Sequence, residues 1–141
     1  MLKKRIIPKI LIRKKNLQSE NLIVSLTTKK FKDNKIIGDP TSQATIFNDS
    51  KADEIILIDL DHSILDQDKL ELISNISKNI FIPFTVGGGV KTIDDIRILL
   101  SKGADRVIIN TSVLNSYTED LIQKASNYFG SQCIVASVDI K

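Results

Sequence analysis

The sequence has little that oxidation or a metal could hold together. Of its 141 residues one is cysteine, Cys133, and one is histidine, His62. A single cysteine excludes an internal disulfide and agrees with a reducing compartment. Its neighbours Ile134, Val135 and Ala136 mark Cys133 as a small buried apolar side chain rather than a nucleophile. A single histidine excludes a multi-histidine metal site, and no cluster at metal-ligand spacing replaces it, so no metal and no other cofactor is expected. His62 reads as a loop residue. No apolar run reaches the roughly 18 residues of a membrane span. The start, Met1 to Pro8, puts basic residues before apolar ones. Pro8 and Lys9 then interrupt the run and no small-residue cleavage site follows, so it is not read as a signal peptide and the chain is expected to be cytoplasmic. Tryptophan is absent and aromatics make up 5% of the chain. None is interleaved with Arg13-Lys14-Lys15, and no nucleic-acid motif accompanies that run.

What is present is unevenly distributed. Residues 1–35 hold eleven Lys/Arg against Glu20 and Asp33, a net of +9, and residues 36–141 have a net of −6. Two readings of the basic end stand: a solvated loop, or a surface for a phosphorylated substrate or acidic partner. With 42% hydrophobic residues and no linker, residues 1–141 form one domain. One pattern recurs along it: a short β-branched run, a loop, then a helix-period segment. The runs are 6–12, 55–59, 80–86, 107–110 and 134–139. Their near-continuous apolarity predicts parallel strands. Helices are predicted over 40–49, 68–77, 92–100 and 118–129. Pro40 opens the first, Thr92 caps the third with Asp94 and Asp95 at its positive end, and Gly130 follows the fourth.

Such alternation builds either an open doubly wound sheet or a barrel, and periodicity does not choose between them. A complete (β/α)₈ barrel takes about 250 residues, or about 200 at least. If the barrel reading holds, the sequence is a half-barrel plus one strand, truncated after the fifth strand. By itself it is then expected to be inactive.

The sharpest local signal is Gly87-Gly88-Gly89, directly after the third run. Glycines there permit positive φ and close approach of the backbone to a ligand, while the helix beginning near Thr92 offers unpaired amides. It is neither a dinucleotide fingerprint nor a P-loop. Phosphate binding and a tight turn are both open for the glycines alone. Asn110-Thr111-Ser112 end the next run, where a barrel delivers its active-site residues; capping of the following helix is the bland alternative. Together the two strand ends favour a shared phosphate grip by Gly88, Gly89, Asn110 and Thr111. Carboxylates also fall at strand ends. Asp59 is a candidate for substrate positioning, and Asp61 for capping its loop. Asp139 is the stronger acid/base candidate, because the apolar residues before it put it at the edge of a dry core.

At this point the residues resemble a family. Arg5-Ile6-Ile7-Pro8, Gly38-Asp39-Pro40, Ile80 to Gly89, Gly103-Ala104-Asp105, Ile109-Asn110-Thr111 and Phe129-Gly130-Ser131-Gln132 appear in the order and spacing of the cyclase subunit of imidazole glycerol phosphate synthase. The related histidine-pathway sugar-phosphate isomerase shares the fold and the triple glycine, but Phe-Gly-Ser-Gln is similar to the cyclase. The resemblance implies a TIM barrel, a lyase-type enzyme of histidine biosynthesis. It would take ammonia from a glutaminase partner, as a heterodimer, and react it with a doubly phosphorylated ribulosyl aminoimidazole carboxamide. It implies that Gly89, Asn110 and Thr111 hold one substrate phosphate, and that Asp139 is one of two catalytic aspartates. Arg5, Glu54 and Arg106 would gate ammonia entry, with arginine at 106 where lysine is common.

Two departures matter. The family's first catalytic aspartate corresponds to Leu11, which cannot move a proton. The Asp-Gly turn after the first strand is also missing, and the substrate-facing lysine there corresponds to Thr27. This pattern resembles paralogous cyclase-like proteins found beside surface-polysaccharide genes, which are thought to use ammonia to turn an acetamido sugar into an acetamidino sugar. Cyclisation, sugar amidation and a non-catalytic fragment are the alternatives carried forward.

Overall fold

A computed structural model describes residues 2–29, 32–110 and 115–139. In chain order the elements are β1 (Lys9–Leu17), β2 (Glu20–Lys29), β3 (Asp33–Gly38), α1 (Pro40–Asp49), β4 (Ile55–Asp59), α2 (Gln67–Asn79), β5 (Phe84–Gly87), α3 (Ile93–Ser101), β6 (Arg106–Asn110), α4 (Ser116–Phe129) and β7 (Ile134–Ser137). They form one sheet in the order β3-β2-β1-β4-β5-β6-β7.

The five apolar runs become β1, β4, β5, β6 and β7, and every pairing among them is parallel. The expectation of five strands is nevertheless corrected to seven. β1 runs on to Leu17, turns through Gln18 and Ser19, and pairs antiparallel with β2, which pairs antiparallel with β3. A two-residue hairpin turn of this kind needs positive φ and is usually announced by Asn-Gly. Here Gln18 and Ser19 take φ of 51° and 69°, so the usual signal is missing. The run at 80–86 is shortened from the front, because Ile80 ends α2 and the strand begins only at Phe84, after Pro83.

All four helices cover one face of the sheet. Ile10, Ile12, Ile55, Leu57, Val86, Val107 and Ile109 point into a single core with Ala44, Ile73, Ile76, Ile96, Leu99, Leu121 and Ala125 from the helices. Period-two alternation sends Leu11, Ile58, Gly87, Ile108 and Val135 to the other face. These five are paired neighbour to neighbour across five strands, as one tier. A Cβ on Gly87 would lie 2.8 Å from Ile108 Cβ and 3.4 Å from Ile58 Cδ1, so these side chains do share that face. Cys133 is half-buried beside β7 rather than buried as its neighbours suggested.

Candidate active site

Two groups of polar residues lie at opposite ends of the parallel strands. At the N-terminal end, Glu54 precedes β4 and is only 4% exposed. Burying a carboxylate is costly unless its oxygens are bonded. Arg5 donates to Oε2 at 2.8 Å, Arg106 to Oε1 at 3.1 Å, and Thr85 Oγ1 to Oε1 at 2.7 Å. The main chain aligns the group. Asp53 N donates to Ile6 O at 3.0 Å and Ile6 N to Asp53 Oδ2 at 2.7 Å, which holds the segment after Arg5 against the start of β4. The register Ile56–Thr85–Arg106 sets the neighbouring strand starts level. Arg5, Glu54 and Arg106, expected together, do meet. Thr85 was not foreseen; a lone threonine within the apolar run 80–86 carries no sign of a cross-strand bond.

At the C-terminal end, the glycines after β5 lie against the loop between β4 and α2. Gly88 and Gly89 have φ of 124° and 83°. A Cβ on Gly88 would meet Asp59 O at 2.5 Å, and one on Gly89 would meet His62 O at 2.0 Å. Ile64 N donates to Gly88 O at 3.1 Å. The close approach that glycine permits here is therefore first of all to a neighbouring loop. The start of α3 carries the cap expected at Thr92. Thr92 Oγ1 accepts from Asp95 N, and Asp95 Oδ2 accepts from Lys91 N and Thr92 N. This capping box takes one amide of the helix, that of Asp95, with the two just before it, and puts a carboxylate beside them.

The remaining predicted residues are less gathered. Asn110 ends β6, is exposed, and is level with Ser137. Thr111 lies outside the described residues. Asp139 is exposed and follows the end of β7, the edge strand of the sheet, by two residues. Leu11 is half-buried in the apolar tier with Ile58, and Thr27 is exposed on β2. His62 is an exposed loop residue at φ 56°.

Asp59 has no exposed surface and faces the helices. It accepts from Asp61 N at 3.1 Å, Ser63 N at 2.8 Å and Lys69 Nζ at 2.8 Å. Direct contact with a substrate, as its strand-end position suggested, is excluded by that burial. Lys69 is itself 1% exposed, and also donates to Ser63 Oγ at 2.7 Å and Asp61 Oδ2 at 3.2 Å. Asp61 also accepts from Arg13 Nε at 3.0 Å and Lys14 N at 2.9 Å, fastening the loop to β1. Burial pushes the Asp61 carboxyl up, but the Lys14 amide, Lys69 and Arg13 outweigh it and hold the group below the usual carboxylate range. Lys69 was overlooked, although it lies on the stripe 69-73-76 that α2 buries. A lysine on a buried stripe was the available signal.

Among the described residues no group of three or more His, Cys, Asp or Glu side chains could hold a metal ion, and no helix is long and apolar enough to cross a membrane. A profile of the histidine biosynthesis protein family matches residues 5–141. The chain belongs to that family. Its parallel strands, with their helices outside, are accordingly part of a (β/α)₈ barrel. It is 43% identical over its whole length to a protein of Campylobacter jejuni provisionally named imidazole glycerol phosphate synthase subunit hisF2, 53% of which it covers. It is 46% identical over 79% of its length to the imidazole glycerol phosphate synthase subunit HisF of Natranaerobius thermophilus, covering 44% of that protein. Identity to the HisF subunit of Methanococcus maripaludis is 40% over the whole chain and 48% of the relative. The chain thus spans about half the length of the curated relatives it matches.

Proposed function

We propose that the chain belongs to the barrel of an ammonia-using synthase of histidine biosynthesis in the cytoplasm. A glutaminase subunit docks at the N-terminal end of the strands as the other half of a heterodimer. Ammonia passes Arg5, Glu54 and Arg106, and reacts at the other end with a doubly phosphorylated ribulosyl aminoimidazole carboxamide. The observation that carries the reading is the buried Glu54 carboxylate bridging two arginines across neighbouring strand starts. Paired this way, the group keeps a net charge of +1, which repels ammonium ions at the strand ends. Turning either partly exposed arginine aside opens a passage for a small neutral molecule. Two exposed apolar side chains, Ile6 at 71% and Phe81 at 93%, flank the same end and suit a protein partner.

The test is turnover of the ribulosyl substrate by a barrel in which this chain is completed with the C-terminal half of the Campylobacter relative. It is run with ammonium salt and, separately, with glutamine and a glutaminase. Imidazole glycerol phosphate formed at ordinary enzyme rates supports the reading; no product from either source sinks it. In that barrel Glu54→Ala is expected to leave ammonium-driven turnover within about threefold while glutamine-driven turnover falls about tenfold or more, the size of losing roughly 1.4 kcal/mol of transition-state stabilisation. Equal losses from both sources would remove Glu54 from ammonia delivery.

One phosphate of the substrate is assigned to the loop of Gly88 and Gly89 with Asn110 and Thr111. Since the start of α3 is already capped, the grip falls to the loop amides and the Asn110 side chain. Asn110→Ala is expected to weaken binding of the phosphorylated substrate by about 1.5–3 kcal/mol, the range for a hydrogen bond to a charged group. Unchanged affinity by calorimetry would refute the assignment.

A second reading is favoured by Leu11. An aliphatic side chain within the tier Leu11–Ile58–Gly87–Ile108–Val135 leaves only Asp139 of an expected acid/base pair. Amidation of an acetamido sugar keeps ammonia delivery and phosphate binding but changes the reacting centre. Ammonium-dependent conversion of such a sugar, without turnover of the ribulosyl substrate, would select it.

A further inference from the structure

The cluster around Lys69 has no part in the chemistry proposed above, yet it lies directly beneath the glycine loop. We propose that Lys69 is a positioning residue for Gly88 and Gly89. Its ammonium gathers Asp59, Asp61 and Ser63 into the turn on which the two glycines are seated. The inference rests on the reading of that loop as a phosphate grip.

All three ammonium protons are used, toward Ser63 Oγ at 2.7 Å, Asp59 Oδ2 at 2.8 Å and Asp61 Oδ2 at 3.2 Å. The Asp59 carboxylate in turn accepts the amides of Asp61 and Ser63, so residues 59–63 curl around it. The curl brings His62 into positive φ and turns two carbonyl groups toward the next loop. Asp59 O lies 2.5 Å from where a Gly88 Cβ would sit, and His62 O 2.0 Å from that of Gly89. Ile64, just beyond the curl, donates its amide to Gly88 O at 3.1 Å. A change in the curl therefore moves the surface under both glycines.

Retaining an ion pair here is informative. Both side chains are essentially without exposed surface, and an apolar pair of similar volume in such a place is often as stable or more so. Methionine could fill the space that the lysine stem occupies, but it cannot draw three oxygens of one turn to a single point. What the charge adds is the shape of the turn.

The test uses the ¹⁵N-labelled barrel completed as above, with inorganic phosphate as probe. Lys69→Met alone strands a buried carboxylate and is expected to unfold readily, so the informative variant is Lys69→Met with Asp59→Leu. It is expected to recover most of the lost midpoint of unfolding while the Gly88 and Gly89 amide resonances move, Ile64 amide exchange accelerates, and affinity for phosphate falls about tenfold or more. Ser63→Ala, which adds no buried charge, is expected to accelerate Ile64 exchange in the same direction with little change in midpoint. Should the double variant be unfolded, Ser63→Ala decides the question alone. Glycine resonances at their wild-type positions in the folded double variant, or unaltered Ile64 exchange in Ser63→Ala, would reduce Lys69 to a stability role. A wild-type barrel whose glycine amides do not respond to phosphate would instead overturn the phosphate reading. The resonance and exchange comparison would still decide the positioning.

Discussion

Gly89→Ala is expected to destabilise the chain by about 4 kcal/mol or more, at the exceptional end for a single methyl group. Two effects act together. The backbone at Gly89 has φ of 83°, a region that costs a residue with a Cβ about 1–3 kcal/mol. The added carbon would also lie 2.0 Å from His62 O and 2.5 Å from His62 C. Those are main-chain atoms, so no change of rotamer relieves the overlap. Gly103 offers a milder case: its φ is 112° and its Cβ would meet Ser77 Oγ at 2.2 Å and Ser77 Cβ at 2.5 Å, so that rotating the hydroxyl away leaves only the longer, side-chain overlap. Gly103→Ala is accordingly expected to cost less. Urea unfolding of the two variants checks the ordering. A loss below about 1 kcal/mol for Gly89→Ala would mean that the loop after β5 is not seated on the β4–α2 turn.

The same pair of loops illustrates what was legible in the sequence. The parallel strands were visible because each is a compact apolar run, and the helices because their apolar residues recur at three and four positions. α3 could be read almost to the residue, since Thr92 and Asp95 form the capping box its first turn uses. The arginines and Glu54 were found only through resemblance; nothing in their spacing links residues 49 and 52 positions apart in the chain. β2 and β3 were missed because the hairpin turn of Gln18 and Ser19 carries no usual turn signal, although Leu22-Ile23-Val24 in β2 and Ile36-Ile37 in β3 have strand character. Lys69 was hidden because a lysine between Asp68 and Leu70 looks like surface. Only the 69-73-76 stripe hinted at its burial, and its partner is Asp59, ten residues earlier, pointing to the helix side of the sheet. The glycines were noticed for the right conformational reason, but their nearest neighbour is protein. A triple glycine alone does not say what approaches it.

Leu11→Asp is expected to raise cyclase turnover by about 10²–10⁴-fold in the completed barrel, the usual range for one well-placed acid/base group. Leu11 lies on the helix-free face of β1, paired with Ile58 on one side and Leu26 on the other. An aspartate at this half-buried position would have apolar neighbours on both flanking strands. Partial desolvation raises a carboxylate's pKa toward neutrality, where it exchanges protons most effectively. The variant would carry two carboxylates, at 11 and 139, for the two ends of a ring closure. The gain follows if cyclisation is the native reaction and the wild-type chain runs it with one member of the pair missing. If the native reaction is amidation of a sugar, the new carboxylate meets no developing charge and turnover of the ribulosyl substrate does not rise. The assay therefore compares wild type, Leu11→Asp and Leu11→Asn with ammonium salt and the ribulosyl substrate. Asparagine matches aspartate in shape and polarity but does not titrate, so a gain confined to Leu11→Asp, with a pH profile that follows one ionisation, identifies proton transfer. Equal gains in both variants would point to simple hydrogen bonding. No gain in either, from a folded barrel with intact affinity for the substrate, would remove cyclisation as the reaction of this protein.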